Sequence, residues 1–120
     1  MTENIQQETV IHITWPQQFS TEVEIFDGIA LVDFRAPRCQ PCIMLGPKIE
    51  ELAQQYKNNA QIKIIKIDTE HPANFELAMK YQINSIPNVQ IFKWGKIAEN
   101  LIWLRQKEEY EHVIEHLIQK

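Results

Sequence analysis

The chain has 120 residues, 44% of them hydrophobic and 23% charged, and a net charge of −4, which suits one globular domain with a self-sufficient core. That acidic balance argues against nucleic acid or an anionic membrane as the main partner, since both require a basic face. No apolar run approaches the roughly 18 residues of a membrane span, and "MTENIQQE" lacks the basic-then-apolar pattern of a secretory leader. The expected address is cytoplasmic.

Residues 1–8 are polar and read as a flexible N-terminal segment. The domain is expected over 9–120, with no internal repeat, low-complexity tract or linker. "TVIHI" (9–13) reads as a short strand. "WPQQFSTEVEIF" (15–26) reads as a helix, with Pro16 in its first turn and Phe19, Val23 and Phe26 on one face. "IALVDF" (29–34) is a nearly continuous apolar run of strand length, the pattern of burial on both faces. Leu45, Ile49, Leu52 and Tyr56 then recur at helical spacing, giving a helix from about Pro41 to Lys57 that Pro47 should kink. "QIKIIKID" (61–68) is a second buried strand. Pro72 opens a helix to about Tyr81, with Phe75, Ala78 and Met79 as its inner face. "NVQIF" (88–92) and "IAENLIW" (97–103) are strands joined by a tight turn that uses Gly95. The last helix carries a stripe of Tyr110, Val113, Ile114, Leu117 and Ile118. Alternating strands and helices with a terminal hairpin imply an α/β fold, a mixed sheet flanked by helices on both faces.

The two cysteines, Cys39 and Cys42, form a Cys-x-x-Cys between a buried strand and the first turn of a helix. Such a pair can be a redox couple, half a metal site, or two ordinary thiols. The setting favours the first. A helix N-terminus presents unsatisfied N–H groups and a partial positive charge, which stabilise a thiolate. Cys39 is then the nucleophile, and Cys42, one turn later, resolves the mixed disulfide. Pro41 stiffens the loop between them. In a reducing compartment two cysteines serve catalysis or metal binding more often than they staple a fold.

"LVDFRAPRCQPC…GP", "IKID" and "YQINSIPNVQIFKWGK" occur in the order found in thioredoxins, and the chain resembles that family over roughly 9–119. The resemblance implies a thioredoxin fold, with a central mixed sheet of about five strands and about four helices. It also implies a thiol-disulfide oxidoreductase whose only redox group is the Cys39–Cys42 disulfide, with no separate cofactor and no metal. Cys39 matches the attacking cysteine, Cys42 the resolving one, and Asp33 the buried aspartate that exchanges a proton with the second thiol. Pro87 matches a cis-proline facing the disulfide and Ile86 the residue before it, free to pair with an extended client. Asp33 sits in an apolar strand, so desolvation should raise its pKa toward neutrality of the carboxyl at pH 7. The implied partners are protein disulfide or dithiol clients and a thioredoxin reductase or another thiol donor, with the chain acting as a monomer.

The chain departs from the family's usual pattern. Arg35 and Arg38 stand where tryptophans are usual, and Gln40 where a glycine lies between the cysteines. Aligned on Asp68, Ile64 takes the place of a lysine near the buried aspartate, so no cation in that strand would offset its desolvation. Trp103 replaces a glycine that shapes the substrate groove. A cation at Arg38, beside Cys39, attracts a thiolate by roughly 4 kcal/mol at about 4 Å and a dielectric near 20, less in solvent. A stabler thiolate favours the dithiol and makes the disulfide the better oxidant. Arg35, Arg38 and Gln40 are thus redox-tuning positions, and Arg38, Gln40, Pro41, Ile86, Pro87 and Trp103 form the expected substrate surface. Acidic flanks on a client would be favoured.

Two other readings compete. His112 and His116 lie at i and i+4, a legitimate ligand spacing, yet far in sequence from the cysteines. His12 and His71 suggest no further ligand set, and Trp15 and Trp94 suggest packing. The second is a non-catalytic module that holds a protein partner in the groove, or senses redox state. An intact Cys39, Cys42, Asp33 and Pro87 argue against it.

Overall fold

Five strands and four helices make up the protein in the computed structural model, which describes residues 9–119. Residues 1–8, expected to be flexible, lie outside the described residues. The strands are β1 (Ile11–Ile13), β2 (Ile29–Arg35), β3 (Ile62–Asp68), β4 (Asn88–Lys93) and β5 (Lys96–Ile102). They form one mixed sheet in the order β1-β3-β2-β4-β5, with β1, β3 and β2 parallel, β4 antiparallel to β2, and β5 antiparallel to β4. Both apolar runs, 29–34 and 61–68, therefore occupy the middle of the sheet, as their two-sided burial requires.

Two apolar layers cover the sheet. On one face α2 (Gln40–Gln55) and α4 (Lys107–Ile118) bury Leu45, Ile49, Leu52, Tyr110, Ile114 and Leu117 against Leu31, Ile64 and Ile91. On the other, α1 (Pro16–Phe19) and α3 (Phe75–Lys80) place Phe19 and Leu77 against Val32, Phe34, Ile65 and Phe92. Phe19, Tyr81 and Phe92 meet there as tilted and edge-on rings with centroids 5.2–6.0 Å apart, an arrangement that adds to their burial.

Several elements differ from the sequence reading. The first helix widens partway: after α1, residues Ser20–Glu24 are π-helical, with the N–H of Ile25 reaching back to the carbonyl of Ser20 at 3.0 Å. α2 agrees with that reading in continuing through Pro47, which lacks the N–H that would bond to the carbonyl of Ile43. The Pro72 helix is a 3-10 turn (Pro72–Asn74) followed by the short α3. Its inner residue is Leu77, while Phe75 and Met79 are 52% and 76% exposed and Ala78 is half-buried. Ile118, expected in the inner stripe of α4, is exposed as well. α3 ends in a Schellman motif: Ile83 N–H bonds to Ala78 O at 2.9 Å and Gln82 N–H to Met79 O at 3.0 Å, with Gln82 at φ 56°.

Candidate redox site

β2 ends at Arg35 and α2 starts at Gln40, so the four residues between them carry the chain from the sheet to the helix. Cys39 is the N-cap of α2, with extended backbone, and its Sγ accepts the N–H of Cys42 at 3.2 Å. That is the geometry in which an unsatisfied helical N–H meets a side-chain acceptor. Pro41 occupies the first turn, where its missing N–H costs nothing. Cys39 and Cys42 form a disulfide with their Cα atoms 5.1 Å apart. Cys39 is half-buried and Cys42 has no exposed surface, so the first sulfur alone is accessible.

Asp33 lies two residues before the end of β2 and is fully buried. Alternation puts it on the same sheet face as Leu31, the face covered by α2. Neither carboxylate oxygen has a hydrogen-bond partner in the protein. Burial raises its pKa to about 6, against the opposing fields of Lys66 and then Arg35. The direction and its cause, desolvation in an apolar strand, agree with the sequence reading.

The register corrects one part of that reading. Asp33 pairs with Lys66, whereas Ile64 pairs with Leu31 and is buried. Of the two lysines in β3, Lys66 is the one whose field reaches Asp33; its ammonium passes α2 near Gly46 and holds Glu50 at 3.1 Å. Sequence reasoning missed it because Ile64 and Lys66 differ by two residues and share a face, so alternation cannot tell them apart. Matching the apolar runs of β2 and β3 end to end would have found it.

The remaining sequence-predicted residues divide into two groups. The Ile86–Pro87 peptide bond is cis, Ile86 is half-buried and Pro87 buried. Trp103 lies one residue past β5, donates its backbone N–H to Pro87 O at 2.9 Å, and is 54% exposed. Its φ of 75° is one that glycine adopts freely and tryptophan does not. Exposed Ile43 and Met44 follow Cys42 on α2. Arg38 and Gln40 are exposed beside Cys39, whereas Arg35 is half-buried and lines a hollow of about 550 Å³ together with Cys42, Gly46, Pro47, Glu50 and Lys66. The two arginines, adjacent in the sequence argument, thus occupy different surroundings. Among the described residues no group of three or more His, Cys, Asp or Glu side chains is placed to hold a metal ion, and none of the helices is long and apolar enough to cross a membrane.

A five-stranded mixed sheet with a Cys-x-x-Cys capping the helix after its central strand defines a thiol-disulfide oxidoreductase. The family model described as Thioredoxin matches residues 10–116. Thioredoxin from Bacillus subtilis strain 168 is 38% identical over 98 residues, 82% of this chain and 88% of its own length. Thioredoxin 2 from Chlorobaculum tepidum is 44% identical over 86 residues, covering 72% and 75%. A mutant thioredoxin from Halobacterium salinarum superposes with a TM-score of 0.77 at 24% identity over 94% of this chain and 95% of its own, a likeness of fold. The chain belongs to the thioredoxin family, and its Cys39–Cys42 pair exchanges disulfides. That family acts through a redox-active disulfide, on protein disulfides, and takes electrons from thioredoxin reductase.

Proposed function

We propose that Cys39 attacks the client and Cys42 completes the exchange. The observation that carries this assignment is the unequal exposure of the two sulfurs at the start of α2. In the reduced protein the Cys39 thiolate, held by the N–H of Cys42, attacks one sulfur of a client disulfide and releases the other as a thiolate. A mixed disulfide forms. Cys42 then gives its proton to the Asp33 carboxylate and attacks the Cys39 sulfur, which closes the Cys39–Cys42 disulfide and frees the second client thiolate. Two electrons pass to the client, and Asp33 returns its proton to solvent. With its pKa near 6, Asp33 is an effective base at neutral pH.

The client lies as an extended segment along Ile86, Pro87 and Trp103, with Ile43, Met44 and Pro41 offering apolar contact. Arg38 and Gln40 border the attacked sulfur from the solvent side and select clients with acidic flanks. Arg38 makes the couple more oxidising than in relatives with an aromatic residue there. Clients are cytoplasmic proteins, the chain works as a monomer, and the electron donor is a thioredoxin reductase or another thiol. Reduction of insulin in dithiothreitol tests the assignment. Wild type should precipitate insulin, Cys39→Ser should not, and Cys42→Ser should accumulate mixed disulfides. Wild type no faster than Cys39→Ser, both at the dithiothreitol background, would leave the chain as a protein-holding module.

A further inference from the structure

The carboxyl ends of the parallel strands β1, β3 and β2 open onto a hollow of about 250 Å³, whose lining includes Thr14, Arg35, Lys66, Asp68, His71 and Asn74. It lies where the chain leaves β2 for α2 on one face and β3 for α3 on the other. Neighbouring strands whose connections part in this way leave a crevice, and such crevices in open α/β sheets are the usual ligand sites.

The lining holds an unpaired donor and an unpaired acceptor. Nε of Arg35 is enclosed and has no hydrogen-bond partner in the protein. The same is true of Oδ1 of Asn74, a residue 1% exposed whose amide nitrogen is already committed to Asp68 O at 3.0 Å. Buried polar atoms without partners are few in folded proteins, and two of opposite kind in one crevice ask for a ligand that supplies both complements. Charge narrows the choice. Lys66 is neutralised by Glu50, and Arg35 stands opposite Asp68 in the register, so the hollow is close to balanced and does not select a bare anion. It fits a group carrying both signs. We propose that this crevice binds the α-amino-carboxylate end of a free amino acid or small peptide, carboxylate on Arg35 and ammonium between Asn74 and Asp68.

Arg35 and Lys66 also line the second hollow, which borders Cys42, so a ligand longer than its head group runs toward the disulfide. Small thiols built from amino acids belong to this class. The site is separate from the groove assigned to protein clients and goes beyond that reading.

Titration of the oxidised, ¹⁵N-labelled full chain with glycine, acetate and methylammonium at constant ionic strength tests the proposal. Glycine should give saturable shifts at Arg35 Nε–H, Asn74 and Asp68, and neither half-ligand should reproduce them. Arg35→Gln should weaken glycine binding roughly tenfold, the effect of losing one charge-assisted hydrogen bond. Asn74→Ala should do the same, and if it disturbs the 3-10 turn, Arg35→Gln decides alone. Linear shifts with glycine, equal binding of acetate, or no effect of Arg35→Gln would overturn it and leave water as the occupant. Because the readout is binding to the oxidised protein, failure would not touch disulfide exchange by Cys39 and Cys42.

Discussion

Asp33 and Lys66 are partners in adjacent strands, yet the lysine does not cancel the cost of burying the aspartate. Its ammonium is bonded to Glu50, and both carboxylate oxygens of Asp33 lack hydrogen bonds in the protein. A folded-state pKa of about 6 against 3.8 for the free side chain means that the native state binds more protons between those values. Stability from this group is therefore greatest below about pH 4, falls as pH rises to 6, and stays low above it. Asp33→Asn should stabilise the protein at pH 7 by up to about 3 kcal/mol, with the gain vanishing near pH 4. Urea unfolding of both proteins across that range measures it. The same variant should slow insulin reduction if Asp33 is the base for Cys42, as proposed.

Trp103 and Gln82 hold positive φ values of 75° and 56° without being glycine. Replacing either by glycine should add roughly 1 kcal/mol in chemical unfolding, since the left-handed region penalises a Cβ by about that amount. The two glycine variants should separate functionally. Trp103→Gly should also raise KM for a disulfide client, whereas Gln82→Gly, at the end of α3, should leave it unchanged.

Trp94 and Gly95 both have positive φ, as the two-residue turn between β4 and β5 requires. A Cβ on Gly95 would run into the carbonyl oxygen of Glu24. Gly95→Ala should thus cost more than the 1 kcal/mol or so of the backbone term alone. Trp94→Asn should be neutral or stabilising, and thermal melts of both variants measure the two effects.

Arg38 is exposed, so its field on Cys39 is screened and its influence small. Arg38→Ala should make the couple more reducing by less than about 30 mV. Equilibration with glutathione reads the shift, and it should shrink further in high salt.

The central strands, the last helix and the redox pair were legible in the sequence because each rests on local pattern. The continuous apolar run 29–34 can only be a doubly covered strand or a buried helix, and its length decides. The Cys39 cap follows from strand, turn and Pro41. What the sequence concealed depends on partners distant along the chain. The inner face of α3 was misjudged because that helix has fewer than two full turns, too short for periodicity to separate Leu77 from Phe75 and Met79. Lys66 was missed because pairing register is a property of two strands. The strained φ of Trp103 is invisible in a residue list, although a tryptophan in place of a usual glycine hinted at it. The crevice at the strand ends required the sheet order itself.

β2 is hydrogen-bonded along both edges, to β3 over Ile29–Arg35 and to β4 over Ile29–Phe34. The helix bearing the cysteines thus hangs from the strand least able to fray. Amides of β2 should exchange with deuterium only through complete unfolding, while β1 and β5, each paired on one side, open first. Heat or denaturant would loosen the rim of the sheet while its redox pair stayed assembled, so exchange of the Cys39–Cys42 disulfide with a small thiol should outlast the first spectroscopic signs of melting.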